Sequence, residues 1–188
     1  LTFMQDPIRG NAAEIESTLR ALVGFGTRHV LSAVDQPGHG TGAARDWIEG
    51  RFRELAKRSG GRLRIERQEA RVPVRRQGMP PETTVVNILA TLPGTTDADR
   101  VYVIGGHYDS RNGDGADGER DAPGANDDGS GTAAMLEACR LLCDRKFAAT
   151  IVFAAFDGEE QGLLGSAVLA KSLAEKKAFV DGMITNDI

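Results

Sequence analysis

The sequence predicts an α/β fold with a mostly parallel, mixed sheet flanked by helices on both faces. Two short apolar runs carry the first observation. Val101-Tyr102-Val103-Ile104 and Ile151-Val152-Phe153-Ala154-Ala155-Phe156 are β-branched or aromatic and bounded by Gly or Asp, as buried strands are. The second observation is helical periodicity between and after them, over 131–142 and 166–175. The third is a further strand-like segment over 182–187. Strand, helix, strand, helix, strand in that order implies right-handed crossovers and parallel neighbours.

The elements before this unit follow from local signals. Asn11 with Glu14 has the form of a capping box, and Ile15, Leu19, Leu22 and Val23 follow at helical spacing until Gly24 and Gly26. After a loop over 36–40, a second helix is predicted over 41–58, with Ala44, Trp47, Ile48, Phe52 and Leu55 on one face. Gly60-Gly61 ends it. Leu63, Ile65, Val72 and Val74 suggest a strand or hairpin, 78–81 a turn, and 84–92 another strand closed by Pro93-Gly94. In 62–67 basic and apolar residues alternate, which reads as the wet face of an edge strand.

Bulk properties narrow the function classes. A chain of 188 residues favours one domain, here 1–188, with its own core. A formal net charge of -4 argues against a general affinity for nucleic acid. No apolar stretch is long enough to span a membrane. The chain opens at Leu1-Thr2-Phe3 without an initiator Met or a leader, so it reads as a processed or trimmed product that has lost an export signal. Cys139 and Cys143, one helical turn apart, read as small buried side chains rather than a redox pair.

Four fragments carry chemistry. His107 ends one strand, Asp127-Asp128 precedes a helix, Glu159-Glu160 follows the next strand, and Asp187 follows the last. Alone, each has an ordinary structural explanation: a hydrogen-bonded histidine, an N-cap, an exposed acidic pair, a helix-entry residue. Together they place an imidazole and several carboxylates at one sheet edge, where functional residues of open α/β sheets collect. Carboxylates so gathered repel one another unless a cation neutralises them. Mixed imidazole and carboxylate ligation suits Zn²⁺, with Mn²⁺ or Co²⁺ as substitutes. Asp109, two positions beyond His107, is placed to accept the second ring N–H and fix the tautomer. Consecutive Glu residues in extended chain point in opposite directions, so one can bind metal while the other faces the attacking water. The Gly-rich acidic loop over 110–126 does not fit an EF-hand register, and reads as a solvated rim.

Three blocks carry a resemblance. They are Gly105-Gly106-His107-Tyr108-Asp109-Ser110, then 122–131 around Asn126-Asp127-Asp128-Gly129-Ser130-Gly131, then 158–166 around Glu159-Glu160-Gln161-Gly162. In this order they resemble the M28 family of zinc peptidases, over roughly everything from Thr84 onward. The resemblance implies a zinc-exopeptidase three-layer sandwich of the phosphorylase/hydrolase-like kind. It also implies two zinc ions, bridged by Asp127. His107 and Asp187 would complete the protein ligands of one and Glu160 would bind the other. Glu159 would be general base and then general acid, beside Asp109 as the second catalytic carboxylate. It further implies a cis peptide bond between Asp127 and Asp128. The substrate would be a peptide with a free N-terminus, and export in bacteria, to the outside or the periplasm, would be expected.

The sequence also departs from that family. The chain stops at Ile188, where the family continues and supplies a last His ligand and an oxyanion-stabilising donor; His29 and His39 do not match that ligand. The domain therefore reads as incomplete at its C-terminus, with the Glu160 side of the site impaired and an exposed sheet edge open to self-association. The leading reading is a metallo-aminopeptidase. Its rivals are a single-zinc enzyme of the glutaminyl cyclase kind and a non-catalytic binding domain on the same fold.

Overall fold

The computed structural model describes residues 8–188, so the first part of the expected 1–188 domain lies outside the described residues. The elements run α1 (Ala12–Val23), α2 (Gly40–Arg58), β1 (Arg64–Pro73), β2 (Glu82–Leu92), β3 (Asp97–His107), α3 (Gly131–Leu142), β4 (Ala149–Phe156), α4 (Leu164–Glu175) and β5 (Phe179–Thr185). Between β3 and α3 the backbone turns tightly over Ala125–Ser130, with extended geometry at Asp127.

The strands form one sheet in the order β1-β2-β4-β3-β5. Pairings β3–β4 and β3–β5 are parallel, while β1–β2 and β2–β4 are antiparallel. Only β2 therefore runs against the rest among these strands, which gives the mixed, mostly parallel sheet the sequence predicts. β1 is an edge strand as expected, but the basic residues of 62–67 do not form one wet face. Arg64 is exposed, Arg62 lies before the strand and donates to the carbonyls of Arg145 and Cys143, and Arg67 pairs with Asp46 and Glu49 of α2.

Both faces of the sheet are covered. Leu22, Ile48, Phe52 and Met135 from α1, α2 and α3 pack on Val86, Ile88, Ile151 and Phe153 on one side. Leu169 of α4 packs with Leu89, Val101, Val103, Val152 and Phe156 on the other. The central strand β4 is buried along its whole length because helices lie on both of its faces. At about 25 cal/mol per Å² of apolar surface removed from water, this three-layer packing is the main stabilising term. The other edge strand, β5, is mostly exposed, including Phe179 and Ile184. Among the described residues no helix is long and apolar enough to cross a membrane.

Two details differ from the sequence expectation. Asn11 caps α1 by accepting the Ala13 N–H at 3.0 Å, but Glu14 does not close the box. The Asn11 N–H instead donates to Glu137 of α3 at 2.6 Å, so a tertiary partner takes the place of the local one. β5 begins earlier than predicted and ends at Thr185, which leaves Asp187 in the loop beyond it rather than in the strand.

Candidate metal centre

Register assembles the site. In the parallel pair β3–β4, His107 lies opposite Phe156, so the chain leaving β4 enters the Glu159-Glu160 turn beside the imidazole. In the pair β3–β5, Gly105 lies opposite Thr185 at the end of β5, which brings the chain carrying Asp187, two residues further on, beside His107. The carboxyl ends of three parallel strands thus share one edge, where the crevice of an open α/β sheet forms. Asp127 enters from the turn before α3.

Close backbone approach makes room for this. A Cβ on Gly106 would lie 2.7 Å from the Gly131 carbonyl carbon, and one on Gly131 would lie 1.9 Å from Asn186 O. Strand β3, the start of α3 and the chain after β5 therefore meet only because these two positions carry no side chain. Asp128 fastens the same junction. Its Oδ2 accepts the His107 N–H and its Oδ1 the Gly131 N–H, both at 2.9 Å, so it is a structural cap rather than a ligand. Burial lifts the Asp128 carboxyl to about 6, against the two backbone N–H donors that lower it. The peptide bond between Asp127 and Asp128 is cis, as the resemblance implied.

His107, Asp127 and Asp187 each offer one ligand atom, and these atoms lie within 4.8 Å of one another. His107 Nε2 stands 3.0 Å from Asp127 Oδ1, 3.7 Å from Asp187 Oδ1 and 3.7 Å from Glu159 Oε2. That nitrogen is buried and makes no hydrogen bond. An orphaned imidazole nitrogen facing three carboxylates is the chemistry of a cation site, so these residues fit a zinc ion. Burial alone would depress the His107 pKa. The hydrogen bond and charge of Asp109, with Asp128 and Glu159, outweigh it and raise the ring to about 10. The local field therefore favours a positive charge at this point.

Asp109 is fully buried behind the imidazole. Its backbone carbonyl lies 3.1 Å from His107 Nδ1 and its Oδ1 3.5 Å away, so the nearer acceptor is the carbonyl rather than the carboxylate predicted. The carboxylate instead accepts the backbone N–H of Glu159 at 3.0 Å and of Glu160 at 3.2 Å. The two glutamates diverge as expected, though in a turn and not in extended chain. Glu159 points at His107, and its carboxyl is raised above the ordinary value by burial and by Asp109, Asp187 and Glu160, against His107. Glu160 points away, to Arg111.

Residues 87–188 match the family described as Peptidase family M28. The chain belongs to peptidase family M28. One relative, a protein of Pyricularia oryzae named a probable zinc metalloprotease, is 48% identical over 180 residues. The alignment covers 94% of this chain and 35% of that protein, so the chain spans about a third of its relative's length. Among solved structures, the zinc aminopeptidase BSAP from Bacillus subtilis superposes with a TM-score of 0.73 at 18% identity, covering 96% of this chain and 70% of that one. A glutaminyl cyclase from an Acidobacteriales bacterium superposes with a TM-score of 0.72 at 22% identity, covering 97% and 60%. At these identities the likeness is one of fold.

Two arginines of this M28 chain escaped sequence reasoning. Arg28 is fully buried beneath the site. It donates to the carbonyls of Tyr108, Leu22, Pro123 and Gly124 at 2.6 to 3.0 Å, tying the end of β3 to the turn that carries Asp127. Burial lowers its pKa to about 10 against the charges of Asp109, Asp128 and Asp127, so it stays cationic at neutral pH. Nothing in the local sequence marks it. Arg111 does have a signal, since it directly follows the His107–Ser110 block. His29, doubtful as a ligand from sequence, is a buried strut: its Nε2 lies 3.1 Å from Gly115 O and 3.1 Å from the Gln161 amide, joining the 110–126 loop to the glutamate turn.

Proposed function

We propose that the protein is a zinc-dependent exopeptidase, an aminopeptidase that removes N-terminal residues from peptides. The observation that carries this reading is the orphaned Nε2 of His107 facing Asp127, Asp187 and Glu159. His107, Asp127 and Asp187 would hold one zinc ion, and Asp127 with Glu160 would hold a second. Bound zinc supplies a Lewis acid that polarises the scissile carbonyl and lowers the pKa of water towards neutrality.

The chain's own residues do the rest. Glu159, hung by its backbone N–H from Asp109, takes a proton from the attacking water at Oε2 and returns it to the leaving amine. Its raised pKa suits both halves of that exchange. Asp127, Glu160 and Arg111 line a cleft of about 370 Å³ with Asn126 and Asn112, and the Asp127 carboxylate there favours the ammonium of an unblocked N-terminus.

A second reading has its own support. Glu160 is paired with Arg111, which leaves one ready cluster of ligands, and the glutaminyl cyclase fold superposes as well as the aminopeptidase fold. Parallel assays decide between them. Zinc-dependent release of an amino acid from an N-terminally free amide supports the aminopeptidase, while ammonia release from an N-terminal Gln peptide alone supports the cyclase.

A further inference from the structure

Glu160 is held by three neighbours. Its N–H donates to Asp109 at 3.2 Å, and its carbonyl accepts from Arg76 Nη1. Its carboxylate accepts from Arg111 Nε at 2.5 Å, and the glutamate side chain is only 9% exposed whereas that of Arg111 is 40% exposed. The backbone of Glu160 is thus fixed from two sides, and its charge is neutralised by a partly exposed guanidinium that lines the same cleft. On the other side of the site, by contrast, His107 Nε2 makes no hydrogen bond and the three ligand atoms are already gathered.

We propose that Arg111 occupies the second cation position of the site, so that zinc loads in a fixed order. Zinc enters first among His107, Asp127 and Asp187. It reaches Glu160 only by displacing the Arg111 side chain. The inference rests on the zinc-site reading above and adds a residue that sets the affinity of one half of it. A guanidinium hydrogen-bonded to a largely buried carboxylate is a charge-assisted contact that must be given up before a cation takes that oxygen. A guanidinium left in place would also face a divalent ion across one carboxylate, at a separation where like charges repel strongly. Because Arg111 reaches the solvent, it can swing out without disturbing the core.

Zinc affinity of each site, measured by titration against a competing chelator, tests this without any activity assay. The three proteins to compare are the wild type, Arg111→Gln and Glu160→Gln. The expected result is a first zinc bound equally by all three, within about threefold, and a second bound at least tenfold more tightly by Arg111→Gln than by wild type. Glu160→Gln should bind the first zinc alone. A second-site affinity that is unchanged or weaker in Arg111→Gln overturns the inference, and weakening would assign Arg111 to orienting Glu160 instead. Failure of wild type to bind any zinc overturns both this inference and the zinc-site reading, so the two failures are distinguishable.

Discussion

The carboxylate of Asp109 accepts the backbone N–H of Glu159 at 3.0 Å, and this hangs the glutamate turn from the strand end that carries His107. Two elements that come together only through the parallel pairing of β3 and β4 are thereby held at a fixed spacing. Asp109→Asn keeps one acceptor oxygen for the glutamate turn and loses the other, together with the negative charge behind the imidazole that would ligate the metal. Residues in this supporting position typically cost about 10–100-fold in metal affinity or activity. The expected outcome is zinc binding weakened by about tenfold and hydrolysis slowed by more, read by parallel zinc titration and kcat measurement.

Glu159 separates binding from chemistry. Its carboxylate is 3.7 Å from His107 Nε2, farther than Asp127, and it is not part of the gathered ligand set. Glu159→Gln should therefore retain zinc at near wild-type affinity while losing about 10²–10⁴-fold in kcat, the usual share of a positioned acid–base group. A variant that lost zinc and activity together would move Glu159 from proton transfer to ligation.

How much of this was legible in the sequence follows from where each constraint lies. The strands β3 and β4, the helix α3 and the three motif blocks were readable because local pattern and turn chemistry specify them. The convergence of His107, Asp127 and Asp187 was readable because the carboxyl ends of parallel strands share an edge. Arg28 was not, since its partners are backbone carbonyls at positions 22, 108, 123 and 124, which no local pattern links to an arginine. The pairing of Asn11 with Glu137 was missed for the same reason: a tertiary acceptor displaced a local one of equal chemistry.

The glycine junction makes a sharper test of the assembly. A Cβ on Gly131 would lie 1.9 Å from Asn186 O and 2.3 Å from Asp128 Oδ1, and the first of these is backbone adjoining Asp187. Gly131→Ala should push the chain after β5 outward and carry Asp187 away from His107. Zinc affinity is expected to fall at least tenfold, within the range seen when support around ligands is lost. Circular dichroism unchanged from wild type would show that the fold survives the substitution.

Arg28 answers to stability rather than chemistry. Arg28→Met would leave the buried Tyr108 carbonyl and the part-buried Pro123 carbonyl without their donor, while Leu22 and Gly124 keep the backbone N–H groups of Phe25 and Gly129. Each unsatisfied buried group costs about 1–3 kcal/mol, less whatever water recovers. A total loss of about 2 kcal/mol is expected, or roughly 4–8 °C in Tm for a domain of this size. Arg28→Lys, which keeps the charge but cannot reach all four carbonyls, should fall between the two in a thermal melt.

Asp157 gives the pH dependence a sign. It is fully buried, its Oδ2 accepts the Val86 N–H at 2.9 Å, and its Oδ1 has no hydrogen-bond partner. Burial, reinforced by the charge of Asp109, raises its carboxyl well above the ordinary 3.8. The folded state therefore holds this proton more tightly than the unfolded chain does. By linkage, the contribution of Asp157 to stability is fully present below the unfolded value, and is lost as pH rises through the folded one. Asp157→Asn cannot ionise, and its amide oxygen can still accept from Val86. Compared in chelator, where titrations common to both chains cancel, the variant should gain on wild type as pH rises from about 4 into the neutral range. The gain is bounded at about 1.4 kcal/mol per unit of pKa shift. Melts at pH 4, 6 and 8 read it directly, and a wild-type-minus-variant difference that stays flat with pH would show that Asp157 is ionised in the folded protein.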